Sequence, residues 1–155
     1  MSFALGFGAI VCTSTDALST LAGPEAKLVR RVNQLRIDHG LIKLRGSSTL
    51  GAVARAHADE MARHGYLSHI NLVGQNPLER VQAAGVDGFR LLAENIAASG
   101  VRGDRIAVAI DEWMQSESHR ENLLNPAFNT TGVAVVDAPG GRTIFVQLFA
   151  TFQAR

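Results

Sequence analysis

Thr131-Gly-Val-Ala-Val-Val-Asp-Ala-Pro-Gly-Gly-Arg-Thr-Ile-Phe-Val-Gln-Leu-Phe-Ala150 is where the chain changes its hydrophobic period. Val133 and Val135, then Ile144, Val146, Leu148 and Ala150, recur at every second residue, and Pro139-Gly-Gly141 between them reads as a reversal. This predicts two antiparallel strands. Upstream, the period is helical. Leu28, Val32, Leu35 and Ile37 give an amphipathic helix from Pro24 to His39, ended by Gly40. A second helix begins at Ser48 or Thr49, carries Leu50, Val53, Ala54, His57, Met61 and Tyr66 at helical spacing, and ends near Gly65. Asn76-Pro77 opens a short third helix with Leu78, Val81 and Ala84, stopped by Gly85. Asp104 caps a fourth, whose stripe is Ile106, Ala109, Ile110, Trp113 and Met114. A further short strand is expected from Leu91 to Ala97. Helices in series followed by an antiparallel pair make one α+β unit.

The chain has 155 residues, 46% of them hydrophobic and 19% charged, which suits one globular domain and not a disordered tail. Its 15 Lys and Arg against 14 Asp and Glu leave a net charge of +1, without the positive field that draws a protein onto nucleic acid. The one cysteine, Cys12, excludes a disulfide framework or a cysteine-rich zinc site, so any metal ligands must be His and carboxylate. Phe3 to Cys12 is uncharged but shorter than the roughly 20 apolar residues of a membrane-spanning helix. With polar Thr13 to Asp16 and small Ala17 behind it, the segment is read as an export signal over residues 1–22. A lipoprotein signal ending at Cys12 and a structural docking segment are the alternatives. Residues 23–155 are then a single domain outside the cytoplasm, with no transmembrane span and no nucleic-acid partner.

Two of the five histidines, His69 and His119, fall just after predicted helices, where a side chain can enter a cleft. Glu94 lies in the otherwise apolar Ala93-Glu-Asn-Ile-Ala97 and needs a partner if buried: backbone amides, an arginine, or a metal. His57, among Val53, Ala54 and Met61, reads as a core or boundary histidine. His39, at a helix C-terminus, is explained by the dipole. Trp113 and Met114 read as core. Ser68, Ser116 and Ser118 are each close in sequence to a histidine, but such neighbours rarely reach the hydrogen-bonded geometry of a nucleophile, and there is no Gly-x-Ser-x-Gly elbow.

Several short motifs occur in a fixed order: His57-Ala-Asp-Glu-Met-Ala62, Ser68-His69, Ala93-Glu-Asn-Ile-Ala97, Trp113-Met114, Ser118-His-Arg-Glu-Asn-Leu-Leu124, Asn125-Pro-Ala-Phe128 and Thr131-Gly-Val133. Over residues 24–152 the chain resembles a bacterial member of the CAP superfamily, the SCP/PR1-like domains of cysteine-rich secretory, antigen 5 and pathogenesis-related 1 proteins. The resemblance implies a three-layer α-β-α sandwich around a mainly antiparallel sheet. It also implies that His69, Glu94 and His119 converge in a cleft that in some relatives holds zinc or another divalent cation, with Asn95 supporting Glu94. The family's second glutamate stands three residues after the tryptophan, which here is Ser116. Glu112 and Glu117 are its neighbours, and Ser116 and Glu117 are expected beside the site. Relatives bind sterols, other lipids, glycans or proteins. The implied function is therefore a binding module for such a ligand in the cell envelope or outside the cell. A metal-dependent hydrolase or peptidase using the same cleft is the alternative.

Overall fold

The computed structural model describes residues 23–153. The predicted export segment and Cys12 lie outside the described residues. Five α-helices and four strands follow in the order α1 (Gly23–Asp38), β1 (Arg45–Gly46), α2 (Ser48–His64), α3 (Pro77–Ala83), β2 (Phe89–Ser99), α4 (Arg105–Gln115), α5 (Glu117–Leu124), β3 (Thr130–Ala138) and β4 (Arg142–Phe152).

Local chemistry sets most of the boundaries. The cap of α2 is Ser47, one residue before the predicted start; its hydroxyl accepts from Leu50 N at 3.2 Å. Gly65 ends the helix at φ 70°, a left-handed conformation that glycine adopts without the steric cost of a Cβ. Asn76 and Glu79 form a reciprocal capping box at α3, with Pro77 as the first helical residue. The Asp104 carboxylate accepts from Ala107 N at the start of α4.

The sheet order is β1-β3-β4-β2. β4 pairs antiparallel with β3 and with β2, and the short β1 pairs parallel with β3. Both faces are covered, so the architecture is an α-β-α sandwich with two cores. Phe145 and Phe149 of β4 and Val133 of β3 pack with α1, α4 and α5 through Leu28, Val32, Ile110, Trp113 and Leu123. Ile144, Val146, Leu148 and Ala150 face the other way, onto Leu50, Ala54, Ala58 and Met61 of α2 and Val81 of α3. Strands buried on both faces lose the clean alternation of apolar and polar residues, which is why β4 reads as one nearly unbroken apolar run.

Three apolar residues assigned to helix stripes face solvent instead. Ile37 and Leu78 are each 42% exposed, and Ala84 is exposed. Arginines take the buried positions: Arg36 on α1 and Arg80 on α3. Arg36 is fully buried and donates to four backbone carbonyls, Ile42 O at 3.0 Å, Leu123 O at 2.7 Å, Asn125 O at 3.1 Å and Phe128 O at 3.2 Å. It ties the end of α5 and the following loop to α1, and so fixes the helix that carries His119.

Candidate functional site

β2 forms one edge of the sheet, and its alternation sends successive side chains to opposite faces. Ala93 and Ala97 join the α1/α4/α5 core, whereas Leu92, Ile96 and Ala98 join the α2/α3 core. By this register Glu94 belongs to the α2/α3 side and Asn95 to the α4/α5 side. The two motif residues therefore serve opposite faces of the sheet edge.

On the first side, Glu94 is almost completely buried, with its side chain 1% exposed. Its Oε1 accepts from His69 Nδ1 at 2.8 Å and its Oε2 from Arg80 Nη2 at 2.5 Å. Arg80 also donates through Nη1 to His69 O at 2.6 Å and Gln75 O at 3.1 Å. One guanidinium thus neutralises the carboxylate and fixes the backbone of the loop that presents His69. A carboxylate can only accept, so His69 Nδ1 is the donor of this bond, and Nε2 has no hydrogen-bond partner among the described residues.

On the second side, the His119 Nδ1 and the Ser116 hydroxyl are 2.8 Å apart. Ser116 is the N-cap residue of α5 but makes no side-chain capping bond to that helix, its hydroxyl being engaged with the imidazole. Asn95 Nδ2 donates to His119 O at 3.0 Å, and Asn122 Nδ2 donates to Asn95 Oδ1 at 2.9 Å, so Asn95 holds the α5 backbone against the strand. Burial, and then the electrostatic influence of His69, lower the His119 pKa from its ordinary 6.5, which favours the neutral ring at neutral pH. Ser116 is a serine that does reach hydrogen-bonding distance of its neighbouring histidine, because a helix start brings positions three apart onto one side.

The donor set tests the divalent cation implied by the resemblance. His69 and His119 each keep Nε2 without a hydrogen-bond partner among the described residues, and imidazole nitrogens are sound ligands. Glu94 has both oxygens committed. Glu112 and Glu117 are exposed, and neither hydrogen-bonds to the cleft among the described residues. Nor, among those residues, are three or more His, Cys, Asp or Glu side chains grouped as a metal site. As arranged, the residues do not fit a resident zinc with three or four protein ligands.

His57 is buried as expected, with Nε2 donating to Ser68 O at 2.8 Å, next to the His69 loop. His39, at the end of α1, places Nδ1 2.8 Å from Leu35 O, and Trp113 is a core residue whose indole donates to Ile96 O at 2.9 Å. Burial, followed by the Arg80 charge, lowers the His57 pKa from its ordinary 6.5. Above that value the ring is neutral in both the folded and unfolded chain; below it the unfolded chain takes up a proton that the folded chain resists. Stability is therefore expected to fall as the pH drops below 6.5, until the folded pKa is reached. Thermal melts from pH 7.5 to 5 check this: a His57→Phe variant should show a flatter decline than the wild type, and a wild-type Tm that rises on acidification would contradict the assignment.

Two residues of the site were not anticipated, Arg80 and Asn122. Arg80 could have been suspected from its place beside Val81 on the inward side of a short capped helix, and Asn122 from its place in the motif Ser118–Leu124 that carries His119.

With this geometry in place, the likeness to known proteins is informative. Residues 29–149 match the model of the cysteine-rich secretory protein family, CAP. The YkwD protein of Bacillus subtilis is 32% identical over 126 residues, which are 81% of this chain and 48% of YkwD, so the chain spans about half the length of that relative. An extracellular SCP-domain protein of Bacillus anthracis is similar at 32% identity and TM-score 0.69, over 81% of this chain and 39% of the other. An outer surface protein of Borrelia burgdorferi superposes with TM-score 0.73 at 26% identity, over 82% of this chain and 91% of its own. Among the described residues, no helix is long and apolar enough to cross a membrane. The match over most of the domain, together with the sandwich fold, shows that the chain belongs to the cysteine-rich secretory protein (CAP) family.

Proposed function

We propose that this chain is a binding module working outside the cytoplasm, in the cell envelope or beyond it, and that its ligand, a lipid, glycan or protein, contacts the cleft at the His69 and His119 rings. The observation that carries this reading is the paired anchoring of the imidazoles. Each has Nδ1 held by its own partner, Glu94 or Ser116, and Nε2 left over. Hydrogen bonds that fix ring orientation in advance reduce the ordering cost of binding. The extracellular and outer-surface relatives support the location.

A divalent cation such as zinc is, in this reading, an exchangeable ligand of the two rings, with water or ligand atoms completing its shell. The hydrolase alternative needs a fixed metal or an activated nucleophile, and the site supports it less well. Glu94 is spent on Arg80 and His69, and the Ser116–His119 pair has no acid on the second ring nitrogen among the described residues.

Titration of chelator-treated protein with zinc, followed by calorimetry and by the imidazole ¹⁵N resonances, tests the reading. Both Nε2 signals are expected to move together, with affinity falling at least tenfold in His69→Ala and in His119→Ala. Single variants that bind zinc as tightly as the wild type, or rings that respond independently, would overturn the shared site.

A further inference from the structure

We propose that the groove between α2 and α3, lined in part by the same Arg80 that pairs with Glu94, is a second binding site, for an uncharged alcohol with an aliphatic body. The groove has a volume of about 480 Å³, within the range of roughly 300–1,000 Å³ common for small-molecule sites. Its walls are largely aliphatic: Ala52, Val53 and Ala56 from α2, Ala83 and Ala84 from the end of α3. Two buried polar atoms on residues lining it, His57 Nδ1 and Arg80 Nε, have no hydrogen-bond partner. Buried polar atoms left unpaired are uncommon and costly, so a pair of them at one groove calls for an occupant.

The chemistry of the pair specifies that occupant. His57 Nε2 donates to Ser68 O, a carbonyl that can only accept, so Nδ1 is a lone pair in need of a donor. Arg80 Nε–H is a donor in need of an acceptor. The two residues are close enough for the Arg80 charge to depress the His57 pKa. A hydroxyl answers both, giving its proton to Nδ1 and taking one from Nε. A carboxylate would satisfy Arg80 but set a second acceptor against His57, and an ammonium would meet the guanidinium charge. Of the other polar groups of the lining, Asn71 Nδ2 donates to Gln75 Oε1 at 3.0 Å, and Glu60 Oε1 accepts from Tyr66 OH at 2.9 Å and Leu72 N at 2.7 Å. The site shares Arg80 with the cleft, since the Nη atoms of that side chain hold Glu94 and the His69 carbonyl.

NMR titration of the folded protein with 1-octanol, octanoate and octylamine tests the proposal. With octanol, saturable shifts are expected at the α2 and α3 amides around the groove and at His57 Nδ1, which gains a donor. Octanoate and octylamine should bind at least tenfold more weakly. His57→Phe is expected to lower octanol affinity about tenfold, the scale of one hydrogen bond. Ala56→Leu, on the exposed side of α2, should fill the groove and abolish binding without changing Tm; it carries the test if His57→Phe does not fold. A non-saturable response, as expected if the two atoms are bridged by water only, overturns the proposal. So does tighter binding of octanoate, octanol affinity unchanged in His57→Phe, or binding that survives Ala56→Leu.

Discussion

Replacing Gly132 by alanine is expected to destabilise the fold by about 3 kcal/mol, the upper end of ordinary overpacking. A Cβ at this position of β3 would lie 2.3 Å from both Gly51 N and Leu50 C, and 2.4 Å from Leu50 Cβ. The first two atoms are backbone of the opening turn of α2, which cannot rotate out of the way. The helix is pinned there by Ser47 N donating to Thr131 O at 2.8 Å and by the buried Leu50 side chain. Relief requires lifting α2 off the sheet and opening the core formed by Ala54, Ala58 and Met61. Gly132 does not adopt a positive φ, so the requirement is for space and not for backbone freedom. Gly51, in the facing helix, is the internal control. A Cβ there meets only Val133 O at 3.8 Å, an ordinary contact, so Gly51→Ala should stabilise by roughly 0.5–1 kcal/mol through helix entropy. Urea unfolding of both variants, with m unchanged, measures the contrast; equal effects of the two substitutions would remove the close-approach explanation.

Where periodicity and local chemistry agreed, the sequence was a reliable guide. The capping residues Asn76 and Asp104, the stop at Gly65, and the stripes Leu50–Met61 and Ile106–Trp113 are properties of neighbouring residues, and neighbours are what a sequence displays. β2 is longer than the Leu91–Ala97 piece expected, because Phe89 and Ser99 extend the pairing to Phe152 and Thr143 of β4. α5 escaped notice because Leu123 is its one buried residue, so it has no apolar stripe to read. β1 escaped because it has two residues and depends on β3, some 85 positions later.

The site followed the same division. Motif order suggested that His69, Glu94 and His119 meet, and the hydrogen bonds place Glu94 with His69 and Asn95 with the His119 backbone. What one-dimensional reading could not supply was the commitment of each oxygen and nitrogen. A buried glutamate in an apolar strand calls equally for a metal or an arginine, and only the packing of α3 against β2 selects Arg80. At the position where the resemblance implies a second glutamate the chain has Ser116, a neutral group whose hydroxyl lies 2.8 Å from His119 Nδ1.

The substitution that most directly separates fold from function at this site is Glu94→Gln. The amide keeps the shape of the carboxylate but removes its charge, leaving the guanidinium of Arg80, 7% exposed, without a counter-ion. Removing one partner of a buried ion pair costs about 3–5 kcal/mol, and the retained carbonyl places this change near the lower bound, about 3 kcal/mol. Arg80 Nη2 can only donate, so the amide oxygen must face it and the amide NH₂ must face His69. In the neutral ring, His69 Nδ1, the donor to Glu94 in the wild type, then has to accept, and the ring proton moves to Nε2. Nε2 of that ring would change from acceptor to donor while the backbone stays in place. Long-range ¹H–¹⁵N correlation spectra of the imidazoles at pH 7.5 read the tautomer directly, and zinc titration of the same sample should show affinity reduced at least tenfold. Arg80→Met in the same background removes the stranded cation and should recover part of the stability without restoring the tautomer. An unchanged His69 tautomer in Glu94→Gln would mean that Glu94 does not set the state of the ring, and the paired-imidazole account of the cleft would fail with it.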